Sequence, residues 1–214
     1  MNNLGSTNKH YKLAIKEISK LDKNKKFLLE VGAGTQIIKN FLPQNIIYHT
    51  LDNIGNLLHK RYTFNHDLNS GRFPIKSDSY DIIICNDTLE HVMYPERVIE
   101  EIIRVAKKNA VFFFSMPNEY NFLMRFYYLI GKKTKTEETF KVVEKGLHIH
   151  KPRVKDIIDL FLKYFKIIKV EYIWQSRRSE SSILIQGIDK IINFLAKIYP
   201  SLFARVVVIK AIRK

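Results

Sequence analysis

Cysteine is nearly absent from the sequence, and long apolar runs are missing altogether. The single cysteine, Cys85, excludes an intramolecular disulfide and is typical of a reducing, cytoplasmic setting. No uninterrupted apolar run reaches the roughly 18 residues of a membrane-spanning helix. The lysine-rich residues 1–26 lack the apolar stretch of a secretory signal. We therefore expect a cytoplasmic protein.

Negative charge is also scarce relative to positive charge. The 214 residues include 36 Lys and Arg against 21 Asp and Glu, which gives a formal net charge of +15. Such a charge favours encounter with an anionic partner, whether nucleic acid, an acidic lipid surface or a phosphorylated substrate. The lysines are spread along the chain, which disfavours a dedicated nucleic-acid patch and leaves background composition as the alternative explanation.

Strand-like and helix-like segments alternate along the chain. The composition, 46% apolar and 27% charged, is that of a globular protein, and the length suits one domain. We predict strands at residues 27–31, 46–51, 62–64, 79–85, 110–115, 166–174 and 206–212, and helices at 8–21, 35–42, 54–61, 95–106, 153–164 and 183–199. This alternation predicts an α/β fold with a doubly wound, mostly parallel sheet and helices on both faces.

A glycine turn and a distant acid form the first motif that carries chemistry. The run Glu30-Val31-Gly32-Ala33-Gly34 follows a buried strand, and glycines there let the backbone approach a ligand closely. Asp52 ends the next strand, where a carboxylate can accept both hydroxyls of a ribose. A dinucleotide site uses the same parts, but its third glycine is replaced by Ile37, and a pyrophosphate has no need of Glu30. Both points disfavour NAD.

These residues resemble the class I S-adenosylmethionine-dependent methyltransferases, specifically the group related to the ubiquinone-biosynthesis methyltransferases. The family's motif residues are matched, in chain order, by Glu30, Gly32, Gly34, Asp52, Asp67 and Leu68. Residues 73–92 are similar to the family's fourth-strand region nearly throughout. Position 36, where the family often has a third glycine, is Gln36. The resemblance covers residues 25–120 closely and 145–174 loosely.

The resemblance implies the fold, the cofactor and the residues that hold it. It implies S-adenosylmethionine on a seven-stranded, Rossmann-like sheet whose last strand is antiparallel. The implied cofactor-binding residues are Glu30, Gly32, Gly34, Asp52, Asp67, Leu68 and Asn86, with Asn86 beside the methionine part or else a structural loop residue. One domain, residues 1–214, then has an N-terminal helix in 1–26, a cofactor-binding core in 27–117, and variable lid or substrate segments in 118–150 and 175–203.

Methyl transfer from a sulfonium needs positioning more than it needs a catalytic side chain. The protein must hold two reactants in contact and exclude water, so the sequence predicts the cofactor better than the acceptor. A hydroxyl acceptor also benefits from a general base. His91, a few residues beyond the fourth predicted strand, is the candidate because the ordinary histidine pKa lies near neutrality. The alternative is that His91 caps or packs the start of a helix.

A second pair of histidines, His148 and His150, precedes Lys151-Pro152. No third ligand cluster stands near the pair, so we expect no metal site. Two alternatives remain for these histidines. They contact the acceptor from a loop that closes over it, or they have a packing role.

The acceptor class follows from what residues 86–89 lack. They are not the Pro-Pro-aromatic motif with which DNA adenine methyltransferases hold an amino group, and no separate RNA-binding module fits in the chain. A small-molecule or a lipid- or glycan-linked acceptor, methylated at oxygen, is favoured. The alternatives are an RNA-directed methyltransferase and a decayed methyltransferase fold that binds without catalysis.

Two apolar segments, residues 122–130 and 183–199, allow two interpretations. Lysines and arginines flank them, a pattern that suits peripheral contact with an anionic membrane: Arg177, Arg178, Lys190 and Lys197. The alternative, favoured by the family's usual lid position, is that both segments pack on the sheet and roof the acceptor pocket.

Overall fold

A seven-stranded mixed sheet forms the centre of the molecule in the computed structural model, which describes residues 9–21, 24–53, 61–132, 141–142, 146–174 and 183–214. The strands are β1 Lys26–Val31, β2 Ile46–Asp52, β3 Phe64–Asn65, β4 Tyr80–Asn86, β5 Ala106–Pro117, β6 Phe165–Ile173 and β7 Val206–Arg213. Their order is β3-β2-β1-β4-β5-β7-β6. The first five strands are parallel, and β7 is antiparallel to both β5 and β6. The predicted Rossmann-like fold with an antiparallel last strand is confirmed.

Six α-helices surround this sheet in the described residues. They are α1 Tyr11–Ile18, α2 Pro95–Val105, α3 Phe122–Leu129, α4 Val154–Tyr164, α5 Ile183–Ile198 and α6 Pro200–Phe203, and two 3-10 helices span Ile37–Phe41 and Leu89–His91. The helix predicted at 35–42 is therefore wrong in type and length. Gln36 adopts a left-handed φ of 57° just before it, and Leu42 is extended before Pro43, so an α-helix has no room to extend. Most of the helix predicted at 54–61 lies outside the described residues.

The sheet separates two apolar layers, because alternate residues of its central strands point to opposite faces. In β4, Ile83 and Cys85 pack into the layer of α2 and α4, whereas Ile82 and Ile84 pack into the layer of α1. Both faces of the central strands are thus buried, as expected of a parallel sheet covered on both sides. Cys85 has the packing role that its apolar neighbours indicate.

Helix α5 meets the rest of the protein through two polar side chains and the buried Ala196. Its Asp189, 4% exposed, accepts a hydrogen bond from Trp174 Nε1 at 3.1 Å. The amide of Asn193 accepts from the Trp174 backbone N–H at 2.8 Å and donates to the Trp174 carbonyl at 2.9 Å. In contrast, Ile183 is 88% exposed and Ile191 63%. Asp189 and Asn193 therefore face inward, whereas the other polar residues and most of the large apolar side chains of α5 are exposed.

Contrary to the expectation that both apolar segments pack on the sheet, many of their large side chains are exposed, although Phe122 stacks on Trp174. No residue of α3 is buried, and Phe126 and Leu129 are 54% and 83% exposed. Only Asp189 and Ala196 of α5 are buried. None of the helices in the described part of the chain combines the length and apolarity that crossing a bilayer requires.

Candidate cofactor and acceptor site

Buried carboxylates gather at one edge of the sheet. Parallel strands bring their carboxyl ends to the same edge, and Glu30, Asp52, Glu90 and Glu119 lie at or just beyond the ends of β1, β2, β4 and β5. They are four of the five buried carboxylate residues in the described part of the chain. In a protein of net charge +15, this edge is a local concentration of acidic groups. It is therefore suited to a cationic ligand.

The glycine turn after β1 is held against the loop after β4. Gly32 has a φ of +70°, and a Cβ there would lie 2.2 Å from Thr88 Oγ1, so no larger residue fits without displacement. Gly34 also has a positive φ, +45°, but no atom lies within 4 Å of where its Cβ would be. The turn is therefore packed on one side and leaves space on the other.

Asp52, the last residue of β2, hydrogen-bonds to this turn. Its carboxylate accepts hydrogen bonds from the backbone N–H groups of Gly34, at 2.9 Å, and Asn53, at 2.7 Å. The Tyr62 hydroxyl donates to the Gly34 carbonyl at 3.0 Å. The two motif elements that the sequence separates by 18 positions thus lie in direct contact, as the spacing predicts.

Glu30 is almost fully buried at the end of β1, with 1% exposure. The hydroxyls of Tyr48 and Tyr11 donate to its carboxylate. The pKa of Glu30 is raised to about 7, chiefly by burial and to a smaller extent by the nearby Asp52 carboxylate, against the opposing effect of the two tyrosine hydrogen bonds. A small change in pH near neutrality therefore changes the fraction of Glu30 that is ionised.

The end of β4 offers an amide with both polar atoms available. Asn86 is 6% exposed, and neither its Oδ1 nor its Nδ2 has a hydrogen-bond partner among the described residues. The next residue, Asp87, has a left-handed φ of 47° and accepts from Ser115 Oγ at 2.7 Å. A buried, unpaired amide is costly without a ligand, so Asn86 fits a role in ligand recognition.

Asp67 and Leu68 occupy a turn beyond β3. The Asp67 side chain is exposed and accepts from the Asn69 backbone N–H at 2.9 Å, while Leu68 is half-buried against the core. The preceding residue, His66, donates its backbone N–H to the Asp52 carbonyl at 3.1 Å. The turn therefore neighbours Asp52, and its contact with an adenine stays a prediction.

Two histidines and two glutamates meet at the end of the site beyond β4 and β5. The His91 and His148 rings lie 4.7 Å apart at 81°, and His148 Nδ1 is 2.6 Å from Glu119 Oε1. Backbone N–H groups of Ile149 and His150 donate to the Glu90 carbonyl, which fixes this segment against the 3-10 helix Leu89–His91. Burial, together with the neighbouring His148, lowers the pKa of His91, so its imidazole is neutral at pH 7.

The pair His148 and His150 divides between two roles. His150 Nε2 lies 2.9 Å from the Val92 carbonyl, a contact that anchors the loop, whereas His148 faces the site. The expectation of no metal rested on the lack of a third ligand near this pair. The structure supplies Glu90 and His91, which with His148 place one ligand atom each within 4.8 Å of the others.

Several residues of the site escape sequence reasoning. In the sequence, Tyr11 belongs to the apolar face of α1 and Tyr48 to a strand. Their hydroxyl contacts with Glu30 join distant parts of the chain, so no local pattern predicts them. Glu90 is adjacent to His91, and this adjacency is the one available signal. Glu119 carries no pattern of its own.

These residues suit S-adenosylmethionine, whose sulfonium and ammonium groups are cationic. The Asp52 carboxylate lies at the turn, the space beside Gly34 admits close approach, and the unpaired Asn86 amide supplies a donor and an acceptor. Glu30 provides a second carboxylate one strand away.

Comparison with known proteins assigns a family. Residues 7–163, more than half of the chain, match the family described as methyltransferase domain. A ubiquinone biosynthesis O-methyltransferase of Photobacterium profundum is 35% identical over 78 residues, 36% of this chain and 31% of that protein. The enzyme of the same description from Coxiella burnetii is 36% identical over 69 residues, 32% of this chain and 27% of that protein. The matched region thus spans under a third of these curated relatives.

Solved structures share the fold over nearly the whole chain. An S-adenosylmethionine-dependent methyltransferase from Mesorhizobium loti superposes with a TM-score of 0.61 at 14% identity, covering 98% of this chain and 100% of that one. One from Thermotoga maritima gives 0.57 at 20% identity, covering 94% and 89%. At such identities the likeness shows the fold, and the family match shows the lineage. The chain therefore belongs to the methyltransferase domain family, as a class I methyltransferase whose cofactor is S-adenosylmethionine.

Proposed function

We propose that the protein methylates a hydroxyl group of a small-molecule or a lipid- or glycan-linked acceptor. The observation that carries this proposal is the half-buried His91, which follows the unpaired Asn86 by five residues at the carboxyl edge of the sheet. The names of the curated relatives, O-methyltransferases of ubiquinone biosynthesis, support oxygen as the accepting atom. No Lys or Arg is among the residues brought together there, which disfavours an RNA phosphate backbone at this part of the described site.

The cofactor side of the site is assigned to the turn and strand ends described above. When bound, S-adenosylmethionine supplies an electrophilic methyl group on sulfur. We assign Asp52 to the ribose hydroxyls, Glu30 and Asn86 to the methionine part, and Asp67 and Leu68 to the adenine side. Gly32 and Gly34 shape the turn so that the backbone can approach the cofactor. The proposed work of these residues is binding and orientation.

The acceptor side is assigned to His91, with His148 as a neighbouring contact. His91 Nδ1 lies 3.3 Å from the Leu147 carbonyl, which favours the tautomer with a proton on Nδ1 and a lone pair on Nε2. That lone pair can take the proton that the acceptor hydroxyl loses as its oxygen is methylated. His150 braces the loop instead of contacting the acceptor.

A lipid- or glycan-linked acceptor is favoured by the apolar face that α3 and α5 expose. Strand β6 runs parallel to β5, since both are antiparallel to β7, so Trp174 follows β6 at the same edge as the site. Trp174 stacks on Phe122 of α3 at 5.0 Å and donates to Asp189 of α5. Both helices therefore contact the edge that carries the site.

We propose that this face of α3 and α5 lies on an anionic membrane. Exposed apolar side chains, with Leu184 at 74% and Phe194 at 62%, are accompanied by the exposed lysines Lys190 and Lys197. An apolar face bordered by lysines is the pattern of an interfacial helix. Arg177 and Arg178, also invoked for this contact, lie outside the described residues.

Replacing Asp52 by Ala tests the cofactor site. Loss of a charge-assisted contact of about 1.5–3 kcal/mol should weaken S-adenosylmethionine binding roughly 10- to 100-fold, as measured by calorimetric titration. The matched control is Asp159→Ala, which removes an exposed carboxylate paired with Lys155 on α4. Equal affinities of the two variants would contradict the assignment.

The protonation of Glu30 predicts a pH-dependent affinity. Its carboxylate is the form that accepts from a cationic ligand, and below its pKa of about 7 this form is depleted. Binding should therefore weaken roughly tenfold between pH 7.5 and pH 6. The variant Glu30→Gln should bind more weakly at pH 7.5 and lose most of this dependence. An unchanged pH profile in that variant would assign the effect to another group.

The acceptor class is tested with methyl-labelled cofactor. Incubated with separate lipid, soluble small-molecule and total RNA fractions, the enzyme should label the lipid or small-molecule fraction as an alkali-stable methyl ether. Label confined to RNA would overturn the proposal. His91→Ala should slow labelling by about 100-fold or more, which is the size of a general-base effect. Cofactor affinity should stay unchanged.

Vesicle cosedimentation tests the membrane face. The wild-type chain should bind phosphatidylglycerol vesicles at low salt and release them at high salt. Phe194→Glu should reduce binding at least about tenfold, since it places a charge in the apolar face. Leu162→Glu on α4, where Leu162 is 46% exposed, is the matched control and should bind normally. Self-association of the chain without binding to vesicles would show that a second copy covers this face.

A further inference from the structure

We propose that Glu90, His91 and His148 bind a divalent transition-metal ion. Each of the three residues offers one ligand atom, and these atoms lie within 4.8 Å of one another. His91 Nε2 is 3.9 Å from Glu90 Oε1. Ligand atoms that each lie about 2.0–2.1 Å from one ion are closer to one another than these distances. Ion binding would therefore require the side chains to rotate toward the ion.

The strongest sign of a missing ligand is the Glu90 carboxyl group. Its side chain is 1% exposed, and its Oε2 has no hydrogen-bond partner among the described residues. Neither a lysine nor an arginine is paired with it there. A buried carboxylate in this position is costly unless a cation or a proton accompanies it. An ion held between Glu90 and two imidazoles removes that cost.

Both histidines are oriented as metal ligands usually are. His148 Nδ1 is held by Glu119 Oε1 at 2.6 Å, which leaves Nε2 as the ring nitrogen available for an ion. His91 Nδ1 lies 3.3 Å from the Leu147 carbonyl, which leaves Nε2 facing Glu90. Such outer contacts fix the tautomer and increase the basicity of the ligating nitrogen. The His91 side chain is 35% exposed, so an ion can enter from solvent.

Two imidazole nitrogens and one carboxylate oxygen select the class of ion. This donor set suits Zn²⁺, Co²⁺, Fe²⁺ or Mn²⁺, whereas Mg²⁺ and Ca²⁺ prefer oxygen ligands throughout. Three protein ligands leave at least one coordination position for water or for an acceptor oxygen. The cluster therefore has the composition of a reactive site and not of a closed structural one.

An ion here would change how the acceptor is activated. It would bind the acceptor oxygen and lower the pKa of that hydroxyl, whose proton then leaves to water, and His91 Nε2 would serve as a ligand in place of a free base. This consequence rests on the proposed function. Binding of the ion does not, because it is measured without cofactor or acceptor.

Cobalt titration of the chelator-treated chain at pH 7.5 tests the site. We expect one Co²⁺ per chain by elemental analysis, with visible absorption bands of a nitrogen- and oxygen-ligated ion. His148→Ala and Glu90→Gln should weaken binding at least about 100-fold. Glu119→Gln keeps all three ligands and should weaken it roughly 10- to 100-fold through His148, as loss of an outer contact does.

The matched control is His150→Gln, two residues from His148 but turned to the Val92 carbonyl. It should bind Co²⁺ as the wild-type chain does. Calorimetric binding of S-adenosylmethionine reports folding of every variant, so failure of the proposed function and failure of the metal site give separate results. Absence of stoichiometric Co²⁺ from the wild-type chain, or equal binding by His148→Ala and His150→Gln, would overturn the proposal.

Discussion

The contact of Gly32 with Thr88 fixes the arrangement on which the rest of the site depends. It presses the turn after β1 against the loop after β4, at a distance that only glycine permits. Thr88 in turn begins the segment that carries Glu90 and His91, and its carbonyl accepts from the His91 backbone N–H at 3.0 Å. The proposed cofactor residues and the histidine cluster are therefore parts of one rigid junction. A shift of either loop would move both.

Charge distribution explains why cations belong at this junction. A basic protein keeps most of its lysines on the surface, while the carboxyl edge of the sheet buries Glu30, Asp52, Glu90 and Glu119. Burial raises the pKa values of Glu30 and Glu90, which means that their charged forms are stabilised less by the protein than by water. A cationic ligand reverses that balance. The unfavourable burial of these groups in the free protein thus becomes selectivity for positive charge.

Sequence reasoning predicted the sheet because its central strands are continuous apolar runs bounded by turn residues, such as Ile82 to Cys85. Gly32, Gly34 and Asp52 were predictable because the turn and the acid each occupy a strand end, and strand ends converge in a parallel sheet. The type and length of the helix at 35–42 were not predictable, because no local sequence pattern indicates the left-handed backbone of Gln36.

The cluster of Glu90, His91 and His148 could be predicted only in part, since its members come from two separate loops. His91 and His148 are conspicuous in the sequence, but they lie far apart along the chain, so the residues next to His148 and His150 do not reveal the other two ligands. The backbone bonds from residues 149 and 150 to the Glu90 carbonyl are what bring the two loops together. Contacts of that kind depend on the folded sheet and leave no periodic signal.

The orientation of α5 shows a similar ambiguity with a functional consequence. An amphipathic pattern defines two faces but does not say which one meets the protein. Here the backbone of Trp174, at the end of β6, hydrogen-bonds to Asn193, and its indole to Asp189, so these two polar residues face inward and most large apolar side chains of the helix face outward. Because Trp174 lies at the same edge as the site, α5 contacts the sheet at the edge that carries the site. A protein lying on a membrane by this face would hold its site close to the lipid headgroups, which favours a lipid-linked acceptor over a freely diffusing one.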